Sequence, residues 1–79
     1  MNEALAMVKN FIDGNYDPLA FSFDFPDYLI NHYDEMMNED EEKTDILNDE
    51  LPDICAEYER GMDPTDFIEK VKIEYYKVV

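Results

Sequence analysis

Apolar residues recur every three or four positions along several segments of this chain, which is the spacing of one face of an α-helix. The first segment covers residues 3–13, and its shared apolar positions are Leu5, Val8, Phe11 and Ile12. The last runs from residue 64 to about residue 77, and its apolar face is Phe67, Ile68, Val71, Tyr75 and Val78. Gly14 and Gly61 stand where helices should end, because glycine readily adopts the left-handed conformation after a last helical turn.

The second helical segment contains a proline that predicts a break. Asp17 followed by Pro18 is the pattern of an N-cap with proline at the first helical position. We expect a short helix over residues 18–23, an interruption before Pro26, and a longer helix over residues 26–37. The apolar stripe of the longer helix is predicted to be Leu29, Ile30, Tyr33, Met36 and Met37.

The third helical segment is predicted to follow a mobile acidic connection at residues 38–43. Thr44 is the expected cap of a helix that runs to Arg60 and carries Pro52 inside it. Since an interior proline removes a backbone hydrogen bond, a kink or two abutting helices should result. The stripe of this helix is Leu47, Leu51, Ile54, Cys55 and Tyr58. The prediction is one all-α domain over residues 1–79, a small antiparallel four-helix bundle with a broken second helix and a proline-kinked third helix.

Composition narrows the classes of function. The chain has 79 residues with 6 bases and 21 acids, hence a net charge of −15. This charge excludes binding to nucleic acid or an anionic membrane through a basic patch. Disorder is not expected, because 46% of the residues are apolar and 14% are aromatic. The absence of an apolar stretch of membrane-spanning length and of a signal-peptide pattern predicts a cytoplasmic protein.

The charge is concentrated in one part of the chain. Residues 34–59 hold twelve acids against the single base Lys43, a net charge of −11, whereas residues 60–79 hold four acids and four bases. Within the third helix, acids recur at every fourth position, namely Asp45, Asp49, Asp53 and Glu57. We predict that this row, with Tyr58 and Glu59 at its end, contacts a positively charged partner. The alternative is a solvated face that serves solubility only.

Catalytic and metal-binding chemistry has little support in the sequence. His32 is the only histidine and Ser22 the only serine, and Cys55 lies on an apolar stripe without a neighbouring base. The acidic run lacks the glycine that a helix-loop-helix calcium site requires. We therefore expect no enzyme activity, no catalytic residue, no metal and no cofactor.

Two long stretches resemble a known family. ILNDELPDICAEYER at residues 46–60 and DPTDFIEKV at residues 63–71 resemble the colicin D-type immunity proteins, as do FIDG at residues 11–14 and DPLAF at residues 17–21. The resemblance implies a helical bundle that binds and blocks the nuclease domain of a bacterial toxin. It also implies that acids, Glu57 and Glu59 among them, face the toxin's basic active-site region in place of RNA phosphates.

Three hypotheses about function follow from the sequence. The first is an immunity-type inhibitor that binds a basic nuclease domain through its acidic surface. The second is a phage-type mimic of nucleic acid that inhibits a host defence protein, since the same acids could imitate phosphates. The third is a small acidic helical protein with a purely structural or adaptor role. The sequence leaves the choice among them and the oligomeric state open.

Overall fold

Four α-helices make up the protein in a computed structural model that describes all residues 1–79. In chain order they are α1 (Asn2–Ile12), α2 (Pro18–Glu39), α3 (Glu41–Glu59) and α4 (Pro64–Val78), and there is no strand. Helix α2 packs against α3, and α3 packs against α4. Helix α1 contacts both α4 and α2. The all-helical class predicted from the sequence is therefore confirmed.

The helix ends follow local sequence signals. The carboxylates of Asp17 and Asp63 accept hydrogen bonds from Ala20 N (3.0 Å) and Thr65 N (2.8 Å) at the starts of α2 and α4. Each cap is followed by a proline, which has no N–H to leave unpaired in the first turn. Gly14 and Gly61 have φ values of 84° and 123°, the left-handed region that favours glycine.

The predicted break in the second helix is wrong, because α2 continues through Pro26 as one helix of 22 residues. An interior proline costs about 3 kcal/mol. Phe21, Phe25 and Leu29 lie on both sides of Pro26 along the helix, and all three are buried. Burying side chains of this size stabilises by about 1.5–3 kcal/mol each, which outweighs the cost of the proline.

The predicted acidic connection at residues 38–43 is also wrong, because Asp40 alone separates α2 from α3. Asp40, and not Thr44, is the N-cap of α3, since its carboxylate accepts from Lys43 N at 3.0 Å. The Asp40 N–H donates to the carbonyl of Met36 at 2.9 Å, which completes the end of α2. Thr44 is buried in the first turns of α3, where its hydroxyl donates to the Asp40 carbonyl at 2.8 Å.

Phenylalanines from three helices form the centre of the core. The Phe11 ring of α1 stacks on Phe21 of α2 with centroids 4.3 Å apart, and Phe21 lies 5.2 Å from Phe25. Phe67 of α4 approaches Phe11 at 4.7 Å. All four rings are fully buried. These contacts fix which sides of α1, α2 and α4 face inward, and buried Leu47 and Leu51 mark the inward side of α3.

Ile30, which is predicted to lie on the apolar stripe of the second helix, does not face the core. Ile30 is 76% exposed, whereas Leu29 and Met36 are buried. Tyr33 and Met37 are half-buried. Adjacent residues on a helix point about 100° apart, so Leu29 and Ile30 cannot both face the same core.

Candidate functional site

Three acids of the predicted row form an exposed face on α3. Asp45, Asp49 and Asp53 are all exposed. They lie on the side of the helix opposite Leu47 and Leu51, which are completely buried. None of the three carboxylates lies within ion-pair distance of a Lys or Arg. This face therefore presents uncompensated negative charge to the solvent.

Glu57, the fourth member of the row, has a different environment. Its carboxylate pairs with Lys70 of α4 at 3.1 Å, and the residue is half-buried. Positions four apart drift by about 40° around a helix with 3.6 residues per turn. Between Asp45 and Glu57 the drift adds up to about 120°, which turns Glu57 from the solvent side toward α4. The cation that neutralises it comes from another helix.

Tyr58 belongs to the margin of the core. Its ring stacks on Phe67 with centroids 4.4 Å apart and an interplanar angle of 19°. The residue is half-buried, so part of its surface is still accessible beside Glu59, which is exposed.

Two acids in the first turn of α3 extend the acidic face. Glu41 and Glu42 are exposed and helical, one turn before Asp45. They fall within residues 38–43, the connection that the sequence predicts. The sequence signal that identifies them is Asp40 followed by two glutamates, because acids stabilise the positive N-terminal end of a helix.

Lysines of α4 border the acidic face on one side. Lys77 bonds to Glu74 at 2.9 Å, and this hydrogen bond is the main reason that the pKa of Lys77 is raised above its usual value. The carboxylates of Glu50 and Asp49 also raise it, at longer range. Together with Lys70, Lys77 marks where the acidic face ends and the more balanced surface of α4 begins.

Cys55 and His32, the residues that could act as a nucleophile or a metal ligand, make other contacts within the protein. Cys55 is fully buried, and burial raises the pKa of its thiol to about 12, with a smaller contribution from the charge of Glu59. His32 stacks on Tyr28 with ring centroids 4.2 Å apart. No group of three or more His, Cys, Asp or Glu side chains is arranged to hold a metal ion. The assignment of Cys55 to the core is confirmed by its burial.

No helix of this protein combines the length and the apolar character that crossing a membrane would require. Comparison of the chain with protein-family models, with curated proteins and with solved structures finds no match. The resemblance to colicin D-type immunity proteins therefore stays a prediction, and the surface of α3 is the feature from which a function can be argued.

Proposed function

We propose that this protein is an immunity-type inhibitor, which binds a basic nuclease domain of a bacterial toxin and blocks it. The observation that carries the proposal is the face of α3 on which Asp45, Asp49 and Asp53 are exposed and unpaired. Proteins usually intersperse both signs of charge on a solvated surface. A face of one sign along more than two turns of a rigid helix is suited to a partner of the opposite sign.

The proposed mechanism is occlusion of the nuclease active site. A nuclease that binds a phosphate backbone presents Lys and Arg side chains in its active-site groove. Carboxylates on α3 would pair with these cations and keep the substrate out. Glu59, exposed at the end of α3, extends the contact. Glu57 and Tyr58 support the edge of the interface from positions already engaged by Lys70 and Phe67.

The proposal includes an antiparallel bundle and a cytoplasmic location. Short connections support the first, since Asp40 alone joins α2 to α3 and four residues join α3 to α4. The pairing of Glu57 with Lys70 and of Tyr58 with Phe67 places the end of α3 beside the first half of α4. A bundle of this kind holds the acids of α3 at fixed spacing before the partner arrives, which favours fast association by electrostatic steering.

The test takes a protein encoded next to this chain in its source genome as the candidate toxin. The two proteins are co-purified, and cleavage of transfer RNA and of plasmid DNA is measured with and without this chain. The wild-type chain should inhibit cleavage. The double variant Asp49→Lys/Asp53→Lys should bind at least about 100-fold more weakly, since two charge pairs become repulsive.

A matched control is available on α4. Asp66→Lys/Glu69→Lys makes the same change in net charge at two exposed acids without an ion pair. It should leave inhibition unchanged within about threefold, because only long-range steering is altered. Circular dichroism should show helix in both variants. Equal effects of the two variants, or a neighbouring protein that this chain neither binds nor inhibits, would overturn the proposal.

A further inference from the structure

A second surface, on the outward side of α2, is apolar and has no partner within the chain. Leu19 is 51% exposed, Phe23 is 53% exposed and Ile30 is 76% exposed. These are three of the six exposed large hydrophobic residues of the protein. Since α2 also supplies Phe21, Phe25 and Leu29 to the core, the helix carries two apolar sides.

The exposed Leu19, Phe23 and Ile30 and the half-buried Pro26, Tyr33 and Met37 together have the spacing of a coiled-coil seam. Leu19, Phe23, Pro26, Ile30, Tyr33 and Met37 follow one another at alternating intervals of four and three residues. This is the alternation of a and d positions in a heptad repeat, and it produces one narrow stripe along a helix. Over these positions the stripe is about 27 Å long at 1.5 Å per residue. We call these six residues the α2 stripe.

The polar residues beside the α2 stripe are acids and amides. On its solvent side the stripe is bordered by exposed Asp24, Asp27, Asn31, Asp34 and Asn38, and on its other side by buried Ser22, Leu29 and Met36. The whole of α2, 22 residues long, contains no Lys and no Arg. The residues at the flanks of a helix–helix seam select its partner through charge. Acidic residues beside the stripe favour a partner helix that carries Lys or Arg at the facing positions.

We infer that the α2 stripe docks a basic amphipathic helix of a partner protein. Apolar side chains of that helix would cover Leu19, Phe23 and Ile30, and its Lys or Arg side chains would pair with Asp27 and Asp34. This inference rests on α2 and stands apart from the function proposed for the acids of α3. An interface of this type uses one helix laid along another, with anchors three and four residues apart.

Charge argues for a partner of this kind over a second copy of the chain. Two copies joined through the α2 stripe would bring Asp24, Asp27 and Asp34 of each close to those of the other. Each copy also has a net charge of −15, so the repulsion extends over the whole contact. With a basic helix as the partner, the local interaction and the interaction of the net charges both become attractive.

The experiment measures binding of a synthetic helical peptide to the full chain. The probe has about three heptads, with Leu at positions a and d and Lys at positions e and g. A second peptide keeps every Lys but carries Gln in place of each Leu. Fluorescence anisotropy should show that the first peptide binds at least about tenfold more tightly, because the stripe contributes hydrophobic burial.

Variants of the chain then locate the site. Phe23→Ser/Ile30→Ser and Asp27→Lys/Asp34→Lys should each weaken binding of the Leu-containing peptide at least about tenfold. The matched control is Ile73→Ser/Tyr76→Ser, which removes exposed apolar residues of α4 that are 59% and 62% exposed. It should change binding by less than about twofold, since these residues lie outside the stripe.

Several results would overturn the inference. Equal binding of the two peptides would mean that charge alone attracts them, and equal effects of the stripe and control variants would place the site elsewhere. The remaining outcome is dimerisation of this chain, which analytical ultracentrifugation detects. If the wild-type chain dimerises and Phe23→Ser/Ile30→Ser makes it monomeric, the occupant of the stripe is a second copy.

Discussion

At the scale of single residues, position along a helix decides the chemistry of each side chain. Asp49 and Glu57 are both carboxylates on α3, yet the first is free in solvent and the second is paired with Lys70. Leu29 and Ile30 are neighbours in sequence, and only Leu29 is buried. Whether an acid is paired, or an apolar residue buried, therefore depends on how its helix is rotated against the neighbouring helices.

Cys55 provides a pH-dependent prediction at this scale. Burial raises the pKa of its thiol from 9.0 to about 12. In the unfolded chain the thiol loses its proton near its ordinary pKa, whereas the folded protein retains it. The folded state then binds more protons, so the contribution of Cys55 to stability is complete below pH 9 and is lost as pH rises toward 12.

Urea denaturation across this pH range measures the effect. The free energy of unfolding should fall with pH, with up to about 1.4 kcal/mol per pH unit from Cys55. The variant Cys55→Ala should show a shallower fall. Some dependence should persist, because the pKa of Tyr16 is also raised to about 12, chiefly by burial and then by its hydrogen bond to Asp24. Identical slopes for the two proteins would contradict the burial of the thiol.

At the scale of helices, tertiary contacts override a local signal in α2. Pro26 predicts a helix end, and the helix nevertheless continues to Glu39. Its beginning, in contrast, agrees with the local signal of Asp17 and Pro18. The same residue type therefore has two different effects in one helix, because Pro18 is in the first turn and Pro26 is in the interior.

The two prolines of α2 should respond differently to replacement by alanine. Pro26→Ala should raise the free energy of unfolding by about 1–2 kcal/mol, since an interior N–H is restored at some cost in unfolded-state entropy. Pro18→Ala should lower it by up to about 1 kcal/mol, because no helical hydrogen bond is gained. Urea denaturation of both variants checks the signs. Destabilisation by Pro26→Ala would show that the proline contributes packing that α2 needs.

At the scale of the whole molecule, charge acts against folding. The net charge of −15 is carried on an accessible surface of 4674 Å². The ion pairs that oppose it include Lys9 with Asp13, Glu57 with Lys70, and Glu74 with Lys77. The Lys9–Asp13 and Glu57–Lys70 pairs are exposed, and exposed pairs contribute little, typically below about 1 kcal/mol each. Repulsion among the remaining acids therefore dominates the electrostatic part of stability.

Screening should therefore stabilise the protein. Between about 0.01 M and about 0.5 M sodium chloride the Debye length falls from about 30 Å to about 4 Å, and long-range repulsion is largely removed. The Tm at pH 7, measured by circular dichroism, should rise with salt. The variant Asp49→Lys/Asp53→Lys, whose net charge is smaller, should gain less from the same salt. A Tm that falls with salt would mean that ion pairs outweigh repulsion.

The sequence by itself determined the features that depend on residues within about one helical turn of each other. Asp17 with Pro18 and Asp63 with Pro64 predict helix starts, and Gly14 and Gly61 predict helix ends, because capping and left-handed backbone are local properties. Four helices, no strand, and the concentration of acids in residues 34–59 could all be read in this way. The N-cap signal of Asp40 was also present in the sequence, although the acidic run around it suggested a mobile connection.

Only the tertiary structure decided which side of each helix is covered. Contacts between residues distant in sequence decide three features. These are the continuity of α2 through Pro26, the pairing of Glu57 with Lys70 and the packing of Tyr58 on Phe67. For the same reason, the α2 stripe could be recognised as unpartnered only once Phe21, Phe25 and Leu29 were seen to occupy the core. Helical periodicity shows that a face is apolar, and only packing shows whether the chain itself covers that face.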